Sequence, residues 1–244
     1  MQIEKANWMM VEDYLKNDDR IVFVLGATEE HGYNSLATDT QTTWEIARRA
    51  CEQANVLLAP PLHFGPSAFS LAYPGTVSLR NSTYFDLITD MLDSVTRVGF
   101  KRVLFFSGHG GNMRAQQAIT EYLITHDEEL YLKFREWYLL PKTYARIQEL
   151  GSTSWDHASW LESFPGINQP VEIPDKFKEQ IYPADHYALT PEELRQIMGD
   201  GVFGGKYKQP AEVMTALVDL AVSELVDFLS NGWDKFLKTA PLKK

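Results

Sequence analysis

The chain has 244 residues, 44% of them apolar and 12% aromatic, enough to build a core and to exclude wholesale disorder. Its 23 basic residues stand against 33 acidic ones, and the formal charge of −10 argues against an electrostatic grip on nucleic acid or anionic lipid. A single cysteine, Cys51, excludes an internal disulfide framework; the opening residues lack the form of a signal peptide, and no apolar run approaches the roughly 20 residues that cross a bilayer, so the chain reads as cytoplasmic and soluble.

Ile21-Val22-Phe23-Val24-Leu25 is a β-branched and aromatic run that reads as a buried parallel strand. A helix is expected from Thr38 to Ala54, with Trp44, Ile46, Ala47 and Ala50 recurring at spacings of three and four. Val56 to Ala59 follows as a second strand, stopped by Pro60-Pro61. A helix over about 82–98 carries Phe85, Ile88, Met91, Leu92 and Val95 on one stripe. Lys101 to Phe106 is the third strand, residues 113–126 the next helix, and Leu130 to Tyr138 a fourth strand. The stretch from Gly151 to Gly205 is rich in Pro, Gly and aromatics and reads as long active-site loops with short helices inserted. Pro210 to Leu229 closes the chain as a helix, and 238–244 reads as a solvated tail. This alternation predicts an α/β fold with a mainly parallel sheet covered on both faces, in one domain spanning 1–244.

In open parallel sheets ligands bind beyond the carboxyl ends of the strands, and this chain gathers its histidines and carboxylates there. Past the first strand come Glu29, Glu30 and His31, with Asp39 eight residues after His31. Past the third comes Ser107-Gly108-His109-Gly110-Gly111-Asn112, and further on Asp156-His157-Ala158-Ser159-Trp160-Leu161-Glu162-Ser163. Glu29 and His31 are two apart, so an extended segment points both to one side. Histidine and carboxylate donors without thiolate suit Zn²⁺, Mn²⁺ or Fe²⁺, and two such ions about 3.5–4 Å apart clamp a hydroxide for hydrolysis. Against a phosphate loop, the dinucleotide fingerprint needs a glycine where Met113 stands, and the P-loop ending is absent. No Gly-x-Ser-x-Gly elbow is present. His63, His126 and His186 lack clustered acids and read as structural or surface residues, and Cys51 as a buried one.

Four blocks resemble the creatininase (creatinine amidohydrolase) family. Glu29-Glu30-His31-Gly32 with Thr38-Asp39-Thr40 is similar to its Glu-Gln-His-Gly…Thr-Asp-Thr, and Tyr73-Pro74-Gly75-Thr76-Val77-Ser78-Leu79 to its Pro-Gly-Thr-Ile-Ser-Leu. Ser107 to Asn112 resembles its Asn-Gly-His-Gly-Gly-Asn, and His157-Ala158 with Glu162-Ser163 a worn copy of its His-Ala-Gly-Glu-x-Glu-Thr-Ser. Gly201-Val202-Phe203-Gly204 sits where the family has Gly-Val-x-Gly.

The resemblance implies a three-layer α/β/α sandwich assembled as a homo-oligomer, often a hexamer. It also implies a metal-dependent hydrolase of non-peptide C–N bonds in small cyclic amides or formamides, with one or two divalent ions per chain. Carried over, Glu29, His31, Asp39 and His109 are metal ligands, with Asp39 bridging. The family carboxylate two residues after the matched histidine is here Gly111, and Glu162 is expected to replace it. His157 is the expected proton donor to the leaving nitrogen, oriented by Asp156, so that His157, Asp156 and Glu162 make up the catalytic set. Tyr73, Trp155 and Trp160 are wall or stacking residues, with core packing the equal alternative. The chain departs from the family at Gly32-Tyr33-Asn34-Ser35-Leu36, one residue shorter and lacking a histidine, and at Ser159 and Trp160, where the family has Gly and Glu. This altered wall makes creatinine a doubtful substrate. It leaves open a hydrolase or isomerase of a lactone, cyclic ketone or polyol-derived substrate at the same metal site, or a catalytically degenerate binding subunit.

Overall fold

The computed structural model describes residues 1–126, 129–152, 157–181 and 188–234. Four parallel strands form the central sheet in the order β2-β1-β3-β4: β1 (Arg20–Leu25), β2 (Leu57–Leu58), β3 (Arg102–Ser107) and β4 (Tyr131–Glu136). The central pair runs from Arg20 opposite Arg102 to Leu25 opposite Ser107, and β4 continues it with Ser107 opposite Glu136. β1 and β3 are buried along nearly their whole length, as expected of strands covered on both faces.

Alternation along each strand feeds two cores. Val22, Val24, Leu104 and Phe106 pack with Ile46, Ala47, Ala50 and Cys51 of α2 (Thr38–Ala54), Ile147 of α5 (Pro141–Glu149) and Leu217, Ala221 and Leu225 of α7 (Ala211–Asn231). On the other face Ile21, Phe23, Leu25, Val103 and Phe105 meet Tyr84, Ile88 and Leu92 of α3 (Asn81–Thr96) and Ala115, Ala118 and Tyr122 of α4 (Ala115–Thr125). Each fully buried large side chain contributes about 1.5–3 kcal/mol. Helix, sheet and helix thus make the expected three layers. Two shorter helices complete the described chain: α1 (Trp8–Leu15), capped by Asn7, and α6 (Pro191–Met198), opened by a Thr190–Glu193 capping box. A small antiparallel pair joins β5 (Phe177–Lys178) to β6 (Gly205–Lys206).

The boundaries of α2 are those expected from sequence, and β1 and β3 shift by one residue. β2 is only two residues long, and the turn Gly110–Arg114 is a 3-10 helix that delays α4 to Ala115. α1 and α5 were not expected. Cys51 is buried, as read, and burial raises its thiol to about 12, so it is no nucleophile. His63 is exposed and His126 half-buried, stacked on the Tyr122 ring, while His186 and the expected tail lie outside the described residues. Among the described residues no helix is long and apolar enough to cross a membrane.

Candidate metal centre

The loop after β1 places three donors within eleven residues. It folds back through hydrogen bonds from Glu29 N to Leu36 O, Asn34 N to His31 O and Thr38 N to Ser35 O, which return the chain to the start of α2 beside His31. Asp39 therefore stands in the first turn of a helix, where the backbone dipole favours a carboxylate. His109 enters from the end of β3, next to β1, so parallel pairing alone brings it to the same rim.

Glu29, His31, Asp39 and His109 are all buried, and Glu162 is nearly so. His31 Nε2 lies 3.0 Å from Asp39 Oδ1 and 3.5 Å from Glu162 Oε2. His109 Nδ1 lies 3.1 Å from Asp39 Oδ2 and 3.2 Å from Glu29 Oε1. Two of the three possible donor triads, Glu29–Asp39–His109 and His31–Asp39–Glu162, thus share Asp39, one carboxylate oxygen facing each. The third is Glu29–His31–His157. The five ligand residues expected from sequence are brought together.

The far nitrogens of the two histidines decide what the near ones offer. His31 Nδ1 lies 3.1 Å from the Glu29 carbonyl, and His109 Nε2 2.9 Å from the Pro66 carbonyl. A carbonyl oxygen only accepts, so those nitrogens carry hydrogens, and the basic nitrogen of each ring is turned to the carboxylates. These close approaches are not all hydrogen bonds: His31 Nε2, Asp39 Oδ2 and Glu29 Oε2 are buried without a partner in hydrogen-bond geometry. Basic nitrogens and carboxylate oxygens packed this way repel unless a proton or a cation lies among them. Burial alone would lower the two histidines and raise the two acids. The mutual attraction wins: Asp39 and Glu162 beside His31, and Glu29 and Asp39 beside His109, hold both imidazoles well above their ordinary range. Glu29 is held down to about 2 by His109, and Asp39 lower still by His31 and His109. Burial raises Glu162, against His31. The donor set, all nitrogen and oxygen with orphaned atoms converging, fits a divalent ion.

His157 stands beside this cluster with Nδ1 3.9 Å from both Glu29 Oε1 and Glu162 Oε2. Its Nε2 lies 2.8 Å from Glu30 Oε1. Burial would lower this imidazole, but Glu30 raises it to about 9. Asp156, expected to orient His157, lies outside the described residues, as does Trp155; the group seen on His157 is Glu30, which sequence reasoning quoted but gave no role. The other Glu30 oxygen accepts from Gly32 N at 3.1 Å, and the carboxylate rests on Gly201, where a methyl group would overlap it. Phe203 donates its N–H to the His157 carbonyl and sets its ring 4.7 Å from the imidazole, which gives the Gly201–Gly204 segment its place in the site. Ala158, at φ +58°, turns the chain so that its N–H meets Glu162 Oε2 at 2.6 Å.

Gly111 has no room for a side chain: a Cβ there would overlap the Pro66 carbonyl and the His109 ring. Trp160, expected near the substrate as wall or core, is core. Tyr73 is held elsewhere, its hydroxyl on the Gly199 carbonyl and its ring under Arg195. The site opens into a cavity of about 620 Å³ walled by Phe69, Met113, Tyr138, Leu139 and Phe203.

A family model described as creatinine amidohydrolase matches residues 4–229. The chain is 23% identical over 158 residues to a 3-dehydro-scyllo-inosose hydrolase of Thermotoga maritima, covering 63% of this chain and 51% of that protein. It is 31% identical over 110 residues to a mycofactocin precursor peptide peptidase of Mycolicibacterium smegmatis, covering 42% and 44%. The chain thus spans about half the length of the curated relatives it matches. A crystal structure of creatinine amidohydrolase superposes with a TM-score of 0.81 at 18% identity, over 96% of this chain and 98% of that one. Creatininase structures named Zn-Zn type and Mn superpose with TM-scores of 0.80. The layered fold is theirs, and the chain belongs to the creatininase family.

Proposed function

We propose that this chain is a metal-dependent hydrolase of non-peptide C–N bonds, acting on a small cyclic amide or formamide. One observation carries the reading: two buried histidines, their far nitrogens tied to carbonyls, turn basic nitrogens onto a carboxylate that offers one oxygen to each. Glu29, Asp39 and His109 would hold one divalent ion and His31, Asp39 and Glu162 a second. Zinc comes first, with Mn²⁺ or Fe²⁺ as alternatives, and zinc and manganese forms of family structures support this. Such an ion supplies a water acidified toward neutral pH and polarises the carbonyl.

The chain's own residues do the rest. The apolar side chains of the cavity, Phe69, Met113, Leu139 and Phe203, offer surface on which a substrate ring can pack. An amide nitrogen leaves only when protonated. His157 presents Nδ1 to the donor cluster while Nε2–H is held by Glu30, so a proton on Nδ1 is placed for the leaving nitrogen. Glu30 therefore positions His157 from its Nε2 side. Glu162, fixed by the Ala158 N–H, completes the catalytic set beside its ligand role.

Elemental analysis of the purified protein, followed by turnover of a panel of cyclic amides and formamides with Zn²⁺ or Mn²⁺ restored, tests the proposal. Metal bound in stoichiometric amount and amide turnover lost on its removal is the expected result; equal turnover by metal-free protein refutes it. The inosose hydrolase relative favours a second reading, hydrolysis of a cyclic ketone at the same centre, and such a ketone belongs in the panel. We further read residues 1–244 as one domain of a cytoplasmic homo-oligomer, with a hexamer as the family expectation. Exposed Trp8, Met9 and Met10 on α1 support assembly, and light scattering in solution checks it.

A further inference from the structure

Glu136 ends β4 opposite Ser107, two residues before His109, on the same rim as the donor cluster. It continues the buried row of Leu132 and Phe134, yet it is an acid, 6% exposed. Its carboxylate lines the same cavity as Glu29, Asp39, His109 and His157. One oxygen accepts the Tyr138 hydroxyl at 2.7 Å, and the other has no partner among the described residues. No described Lys or Arg forms an ion pair with it, and Arg114, a guanidinium on the same cavity wall, turns instead to the Gly111 carbonyl at 3.1 Å. Burial accordingly raises its carboxyl, against the Tyr138 hydrogen bond and the charge of His109.

The Glu136 carboxylate thus lines the cavity with one oxygen free and no described Lys or Arg on it, so a cationic group arriving there finds both an acceptor and a charge to pair with. The Tyr138 hydroxyl engages one oxygen and leaves the other open. We propose that Glu136 is a specificity determinant that selects substrates carrying a cationic nitrogen, an ammonium or amidinium group, next to the bond cleaved at the metal centre. The inference rests on the hydrolase reading for the bond cleaved, and on Glu136 alone for the charge selected. The product would then carry that same cationic group beside a new carboxylate and amine.

Benzamidinium and benzamide are near-isosteres that differ by one charge, and their aromatic ring suits the walls formed by Phe69, Met113 and Phe203. Titration calorimetry of the Zn²⁺-loaded full chain should show benzamidinium binding about tenfold or more tighter than benzamide. Glu136→Gln keeps the shape and removes the charge, so the preference should fall to within about twofold while zinc content is unchanged. Tyr138→Phe, which frees the second oxygen, should keep or enlarge the preference; this variant carries the test if Glu136→Gln does not fold. Equal binding of the two probes by the wild type, an undiminished preference in Glu136→Gln, or a preference lost in Tyr138→Phe overturns the proposal. Failure of the hydrolase reading looks different: no amide is turned over, yet the charge preference and its dependence on Glu136 remain.

Discussion

Glu30→Gln isolates the contact that sets the state of His157. The substitution keeps the volume of the side chain over Gly201 but removes the charge 2.8 Å from His157 Nε2. A carboxamide still accepts from Nε2–H, but its amide group then faces the Gly32 N–H that the carboxylate now satisfies, donor against donor. The magnitude follows from the imidazole: its rise from 6.5 to about 9, driven by Glu30 against burial, corresponds to about 3 kcal/mol favouring the protonated form. Without the charge, burial acts unopposed by its main rival, and His157 should titrate at least about two pH units lower, no longer predominantly protonated at pH 7. Histidine-labelled, metal-free protein followed by NMR across pH reads this directly. A second consequence has a definite sign. A histidine raised in the folded state stabilises below its unfolded pKa, and that contribution fades as pH climbs through the folded value. Wild-type metal-free protein should therefore lose stability between 6.5 and about 9, and Glu30→Gln should show a flatter profile over that window. A His157 titration unchanged by Glu30→Gln would refute the assignment and return the positioning role to another neighbour.

Asp39→Ala removes the carboxylate shared by two donor triads, leaving two protein donors in each, so bound zinc should drop to a small fraction of the wild-type stoichiometry by elemental analysis. Because His31 and His109 are both held well above their ordinary range by the surrounding acids, each carries a proton near neutral pH in the metal-free protein, and an incoming ion must displace it. Zinc affinity should accordingly rise with pH between about pH 5 and 8, with proton release seen as a dependence of the calorimetric enthalpy on buffer ionisation. Remote from the site, Asp18 receives the Arg20 guanidinium at 2.9 Å and Arg102 at 3.3 Å, and these outweigh burial to hold its carboxyl below 3.8. Its contribution is present above 3.8 and lost as pH falls further, so Asp18→Asn should cost about 1–3 kcal/mol at neutral pH by denaturant unfolding and less in acid.

What sequence revealed and what it hid divide along the range of the interactions. β1, β3 and α2 were legible because each buries a periodic or continuous apolar set that its own residues declare. α5 buries only Thr143 and Ile147, and α1 buries none of its residues, so neither carries a stripe strong enough to announce a helix. The Gly110–Arg114 turn delays α4 because Gly110, Gly111 and Asn112 favour local turns over helical backbone. The donors were legible because their residue types crowd the strand ends. Glu30 was hidden by its neighbours: alternation sends it away from Glu29 and His31, and its partners His157 and Gly201 lie far along the chain.

Gly111 and Glu162 join the two kinds of information. The family resemblance marked Gly111 as lacking a carboxylate and pointed to Glu162 in its place; the backbone shows how the two positions are linked. Any side chain at Gly111 would overlap the Pro66 carbonyl, the very group that receives His109 Nε2–H and so turns Nδ1 toward Asp39 and Glu29. A carboxylate there would come at the expense of the histidine beside it. Glu162 avoids that conflict, since it reaches His31 and the other face of Asp39 from a separate segment, held by the Ala158 N–H. Moving the acid to Glu162 thus keeps both histidine orientations intact, and leaves the wall around Gly110 and Gly111 low enough for Tyr138 and Glu136 to border the cavity from that side.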